Sequence, residues 1–169
     1  MLLLSLMGVP VTGAQPASQS RARDDHEARK TAVRALLEQA RYQEALMEAV
    51  ALNKAMPDEL DTYAMLSQAY IQLGEMEQAE RALQWMLDLR PDSPVSLLAA
   101  AEYRFAVGEY TGAIDFYNEA YRRTARQNLK RRGEILMRAV KAYRAAGKPE
   151  AAQSCLREAA RLKSGEEGK

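Results

Sequence analysis

The chain has one imidazole, His26, and one thiol, Cys155. Acid–base or nucleophilic catalysis needs a base held within hydrogen-bond reach of a nucleophile. The one histidine instead falls in a polar, linker-like stretch at the start of the regular sequence. A lone cysteine closes no disulfide, and one Cys with one His cannot assemble a Cys/His metal cluster. No glycine-rich loop is present to cradle a phosphate, and carboxylates such as Glu75 and Glu77 read as surface residues. These residue types predict a protein that is not an enzyme and uses no cofactor or metal.

The densest charge is in "YRRTARQNLKRRGE", residues 121 to 134, with Arg122, Arg123, Arg126, Lys130, Arg131 and Arg132. It stands out because 24 Lys+Arg nearly cancel 23 Asp+Glu, for a net charge of +1. No global basic field exists to support non-specific nucleic-acid affinity. If a helix runs through this stretch, Arg122, Arg126 and Lys130 fall at i, i+4 and i+8 as one stripe, Arg123 lies beside it, and Arg131 and Arg132 sit in the following turn. Such a stripe could dock on an acidic protein, an anionic lipid or nucleic acid. The simpler reading is a solvated helix end, where the helix dipole favours cations. Nucleic-acid recognition would also call for stacking aromatics, and Tyr117, the first of the nearby pair with Tyr121, falls where packing would bury it.

From residue 26 onward apolar residues recur at three and four, the period of packed helices. The pattern also repeats at a longer interval. In "LDTYAMLSQAYIQLGEMEQAERALQWMLDLRPDS", Tyr63, Leu66, Ser67 and Tyr70 are followed by Ala79, Leu83 and Pro91. A shift of 34 residues upstream lays "ARYQEAL" (40–46) on "GEMEQAE" (74–80), Ala45 on Ala79 and Pro57 on Pro91. The same shift downstream lays Gly108 on Gly74, Ala113 on Ala79 and Tyr117 on Leu83. A fourth unit with Tyr143, Gly147 and Ala152 comes into phase once 128–132 is treated as an insertion. The spacing predicts units at 26–59, 60–93, 94–127 and 133–166, with a linker at 15–25 and a polar tail at 167–169.

These residues resemble the tetratricopeptide repeat (TPR) family, whose unit is a helix–turn–helix of this length. The resemblance implies an all-α, right-handed α-solenoid of four repeats. Ala45, Ala79, Ala113 and Ala152 would let paired helices approach, and Pro57 and Pro91 would stop the second helices. Repeat 1 departs by having Ala40 in the glycine place. Repeat 3 has Arg104 in a tyrosine place and no closing proline, so its second helix is expected to run on into the insertion.

In this family the first helices line the concave face and carry the ligand, which implies a protein partner. Transferred by position, the partner-binding residues are Lys30 and Arg34, then Ala64, Met65, Gln68 and Ile71. Repeat 3 supplies Leu98, Glu102 and Phe105, and repeat 4 supplies Met137, Arg138, Lys141 and Arg144. The groove is expected to be apolar in the middle and basic at both ends, suiting a segment with apolar anchors flanked by acidic residues. Ile71, Leu98 and Phe105 equally suit packing between repeats. The chaperone-binding members' carboxylate clamp is not expected, because Lys30, Arg34, Met65, Val95 and Ala99 match it only at the first lysine.

The opening "MLLLSLMGVPVTGA", residues 1–14, is uncharged, apolar from Leu2 to Val11, and ends in small residues, like a secretory signal peptide without its basic start. A periplasmic or secreted protein is expected, with a cytoplasmic one as the alternative. The run is too short for a transmembrane span. The last helix, roughly 149–163, places Ala152, Cys155, Leu156, Ala159 and Leu162 on one face, with Gln153, Arg157, Glu158 and Arg161 as its outer cover. If that cover fails, self-association through this end is expected. Cys155 reads as a small buried hydrophobe, and Trp85, in a second helix, as a packing residue.

Overall fold

The computed structural model of the chain describes residues 16–165. The signal-like opening and the tail at 167–169 lie outside the described residues.

Eight helices follow one another with short connections: α1 (Pro16–Glu38), α2 (Tyr42–Ala55), α3 (Leu60–Leu73), α4 (Met76–Leu89), α5 (Pro94–Ala106), α6 (Tyr110–Arg123), α7 (Leu129–Ala145) and α8 (Pro149–Ser164). No strand occurs among the described residues. Each helix packs on its successor, and α3 also packs on α1 and α5. Short loops force successive helices to run antiparallel, so α1, α3, α5 and α7 share one direction. The result is an all-α solenoid of helical hairpins.

The hairpin bends are built by left-handed residues. Gly74 has φ 78°, with Gly74 N–H donating to Ile71 O at 3.1 Å and Glu75 N–H to Tyr70 O at 2.9 Å. This is the paired bonding of a Schellman end, which satisfies carbonyls the helix leaves open. Thirty-four residues earlier Ala40 takes the same conformation, φ 59°, with Ala40 N–H to Leu37 O and Arg41 N–H to Leu36 O. It is the one non-glycine residue with positive φ among those described. Ala40 therefore adopts the bend of its glycine counterpart despite its Cβ.

The core is layered along the array. Val33, Leu37, Ala45, Ala49 and Leu52 pack with Met65, Leu66 and Ala69. Leu83 and Met86 pack with Ala99 and Ala100, and Leu97, Leu98 and Ala101 with Ile114, Tyr117 and Ile135. Ala45, Ala79 and Ala113 have no exposed surface, and Ala152 only 2%. A larger side chain at any of them would push two helices apart. Trp85 stacks on Tyr63, ring centroids 3.7 Å apart and planes 13° from parallel, which makes it a packing residue.

Two expectations are corrected. Residues 16–25, expected as a linker, form the first turns of α1. Nothing between Pro16 and Glu38 interrupts a helix, and a proline at the first helical position is well tolerated. The second helix of the third hairpin does not run on. It ends at Arg123, Thr124 turns to an extended conformation (φ −73°, ψ 129°), and its hydroxyl donates back to Ala120 O at 2.8 Å. Asn128 then starts α7 by accepting Arg131 N–H on its side-chain oxygen at 3.1 Å. A cap and a back-bonded threonine therefore end α6 where the absence of proline suggested continuation.

Candidate functional site

α1, α3 and α5 pack side by side, and α7 meets α5 through Arg138 and Glu102, so residues of all four helices line a single groove. The groove encloses about 840 Å³. From α1 it takes Arg34, Leu37 and Glu38, and from α3 Asp61, Ala64, Met65 and Gln68. Pro94, Val95, Leu98, Ala99 and Glu102 come from α5, and Lys130, Arg131, Glu134 and Arg138 from α7. The connection between α6 and α7 closes one side with Thr124, Ala125 and Asn128.

Of the expected concave-face residues, the groove brings together Arg34, Ala64, Met65, Gln68, Leu98, Glu102 and Arg138. Met65 and Leu98 are only 4% and 5% exposed, so they are floor and core at once. Ile71 is half-buried on α3 away from the groove lining. Phe105 packs on the core, its ring 5.5 Å from that of Tyr110. Met137, Lys141 and Arg144 are exposed on α7 but do not line the groove.

Lys30 is not a groove residue. Its side chain is buried, and its ammonium lies 2.5 Å from Glu27 Oε1, 2.5 Å from Glu59 Oε1 and 3.8 Å from Asp61 Oδ2. Glu59 also contacts His26 Nε2 at 2.5 Å and accepts from Thr62 Oγ1 at 2.9 Å. Burial works to raise the Glu59 carboxyl, but the hydrogen bonds from Lys30, His26 and Thr62 and the charge of Lys30 hold it below the usual carboxylate range. Burial likewise pulls Lys30 down, and its bonds to Glu27 and Glu59 outweigh this and raise it. The chain's one histidine is part of this polar clamp between α1 and the start of α3. The 33-residue spacing of His26 and Glu59 is close to one repeat, a signal that could have paired them from sequence.

The groove's charges are largely paired within its own wall. Arg34 lies 3.6 Å from Asp61, Arg131 lies 3.3 Å from Glu134, and Arg138 contacts Glu102 across α7 and α5. Burial lowers Arg138 from the usual guanidinium value. The groove ends expected to be basic are therefore largely neutralised by carboxylates on neighbouring helices. Among the described residues, Glu38 and Lys130 are the groove charges without an ion pair.

The basic stretch does not form a stripe, because the chain turns between Arg123 and Leu129. Arg122 and Arg123 both bond Glu119, and Arg123 also reaches Asp92 at 3.4 Å. Arg126 is exposed in the turn. Arg131 and Arg132, expected in a turn, belong to the first turns of α7. Arg132 lies over the Tyr121 ring, 4.1 Å from its centroid. Lys130 and Arg131 join the groove instead, so the two surfaces read separately from the sequence meet at one place.

At the end of the array, α8 buries Ala152, Ala159 and Leu162 and exposes Gln153, Arg157 and Arg161. Glu158 accepts from Tyr121 O–H at 3.3 Å. Three of the four residues expected as the outer polar cover are therefore exposed, and Glu158 turns inward to Tyr121. Cys155 is half-buried, and burial pushes its thiol up. Among the described residues no helix is long and apolar enough to cross a membrane.

Tetratricopeptide repeat family models match residues 36–102 and 133–165. No curated protein matches the chain. Among solved structures, the chain is similar to TTC0263, a thermophilic TPR protein of Thermus thermophilus, at 21% identity and TM-score 0.70, over 86% of this chain and 77% of that one. It is also similar to Pseudomonas aeruginosa pilF (16% identity, TM-score 0.66, 83% and 63% covered). A further likeness is to MamA (18% identity, TM-score 0.55, 78% and 74% covered). At these identities the likeness is one of fold.

Proposed function

We propose that this chain, which belongs to the tetratricopeptide repeat family, is a non-catalytic adaptor that holds a segment of another protein in the groove along α1, α3, α5 and α7. The observation that carries the reading is the groove itself, about 840 Å³ bounded by four different helices and floored by Ala64, Val95, Leu98 and Ala99. A space of that length and shallow apolar floor suits an extended or helical segment. Its internally paired charges argue against a purely electrostatic adaptor. The break in the basic stretch removes the support for docking on nucleic acid or lipid through a cationic stripe. The apolar opening at 1–14 supports export, with the adaptor working in the periplasm or outside the cell.

The test is partner capture followed by cross-linking, comparing the native chain with Gln68→Trp, which fills the groove from a half-buried position, and with Arg81→Ala on exposed α4 as a control. A partner lost only with Gln68→Trp supports the reading. A partner kept by Gln68→Trp refutes it. Met65→Asp is unsuitable, because Met65 is core and the variant would unfold. N-terminal sequencing of the exported protein tests the export reading, with a mature start at Gln15 expected.

A further inference from the structure

The groove is electrically neutral along its middle and polar at its ends. Arg34 forms an ion pair with Asp61 and Arg138 with Glu102, each joining two helices, which leaves Glu38 and Lys130 without an ion pair among the described residues. Glu38 is the last residue of α1 and Lys130 is the second residue of α7. Glu38 lies on the first and Lys130 on the last of the four helices that line the groove, so one anionic and one cationic charge stand at its two ends.

Their placement goes against local helix stability. A helix C-terminus disfavours an anion and an N-terminus disfavours a cation. Yet α1 has no basic residue in its last turn and α7 has no acidic residue in its first, so neither end carries an opposite charge to compensate. Lys130 is also where it is only because Thr124 ends α6 and Asn128 restarts the chain, which brings the inserted segment to the groove. Two exposed charges that cost their own helices, have no partner and face the same cavity are arranged for something that enters it.

Resting on the reading of the groove as a polypeptide site, we infer that the bound segment carries opposite charges at its two ends, a basic residue meeting Glu38 and an acidic residue meeting Lys130, on either side of a small apolar centre. This differs from the acid-flanked partner that two basic groove ends would select. Two unlike end charges fix which way the segment lies in the groove, and wrong partners meet a like charge at one end.

The experiment uses three synthetic peptides with blocked termini and one shared centre of Ala, Leu and Val. One has Lys at one end and Glu at the other, one has Glu at both, and one has Lys at both. Binding is followed by fluorescence anisotropy at low salt. The native chain is expected to bind the mixed peptide about threefold more tightly than either uniform one, the scale of one exposed ion pair. Glu38→Lys should shift the preference to the double-Glu peptide and Lys130→Glu to the double-Lys peptide. Both substitutions suit their helix ends, so both variants should fold.

Equal binding of all three peptides, weakened throughout by Gln68→Trp, overturns this inference and leaves the groove reading standing. Unchanged preference in the two charge variants also overturns it. No binding of any peptide in the millimolar range, or binding indifferent to Gln68→Trp, overturns both.

Discussion

Lys30 of α1 and Glu59 at the entry to α3 are 29 residues apart in the chain and 2.5 Å apart in the fold. Lys30 is only 3% exposed, and its neighbours Glu27, Glu59 and Asp61 are all anionic. The contact joins the first hairpin to the second.

Removing Glu59 leaves the buried Lys30 ammonium with Glu27 and the more distant Asp61 alone, and takes from His26 and Thr62 the carboxylate they bond. Glu59→Ala is therefore expected to lower stability by about 3 kcal/mol, and Lys30→Ala by a similar amount. Lys30→Met, which keeps the apolar stem, should cost less. Urea denaturation followed by circular dichroism measures this, and a Glu59→Ala loss within about 0.5 kcal/mol, as for an ordinary surface residue, would refute the clamp.

The same cluster sets an acid limit. Glu59 is held below its ordinary 4.5 in the folded chain, so its contribution is complete above that pH and disappears as pH falls through the folded value. Lys30 is raised above its ordinary 10.5, so its contribution is complete below that pH and is lost as pH rises through the folded value. Stability from this pair should be flat between those limits and fall on both sides. Glu59→Gln should flatten part of the acid fall, and unfolding midpoints measured across pH would show whether it does.

Ala40 occupies a left-handed bend that glycine adopts without steric cost. Ala40→Gly is expected to raise stability by about 1 kcal/mol, and Gly74→Ala to lower it by about as much. An Ala40→Gly variant no more stable than the native chain would mean that the bend carries no strain.

Tyr63 and Trp85 lock α3 to α4 by stacking. Tyr63→Leu should cost about 1 kcal/mol beyond the lost area, and it should shift the emission of the chain's one tryptophan to the red. Unchanged emission would place Trp85 outside the packed seam.

The solenoid was legible because its requirements recur. A left-handed bend is needed once per hairpin, and Gly74 and Ala40 stand one period apart at equivalent bends. Small residues are needed where helices touch, and Ala45, Ala79 and Ala113 mark those places. What was not legible depends on single side chains. One hydroxyl, Thr124, ends α6 where proline was missing, and a back-bond of that kind leaves no periodic trace. Lys30 occupies a position that carries ligand in the resembled family, but its burial comes from Glu59, which the next hairpin supplies. The charge balance of the groove depends on reach between helices: Arg34 to Asp61 and Arg138 to Glu102 are pairs that a reading along one helix treats as separate charges.

The layered packing, in which helices meet only near neighbours along the chain, bears on how the protein acquires its structure. No contact layer waits for a distant segment, so the loops that must close are small and their entropic barriers low. Each hairpin can dock as it emerges from the ribosome, starting with α1 and α2, and the groove deepens one helix at a time. Its last wall, α7 with Lys130 and Arg138, is added after the other three, so a partner segment meets a finished site only once α7 has emerged and docked.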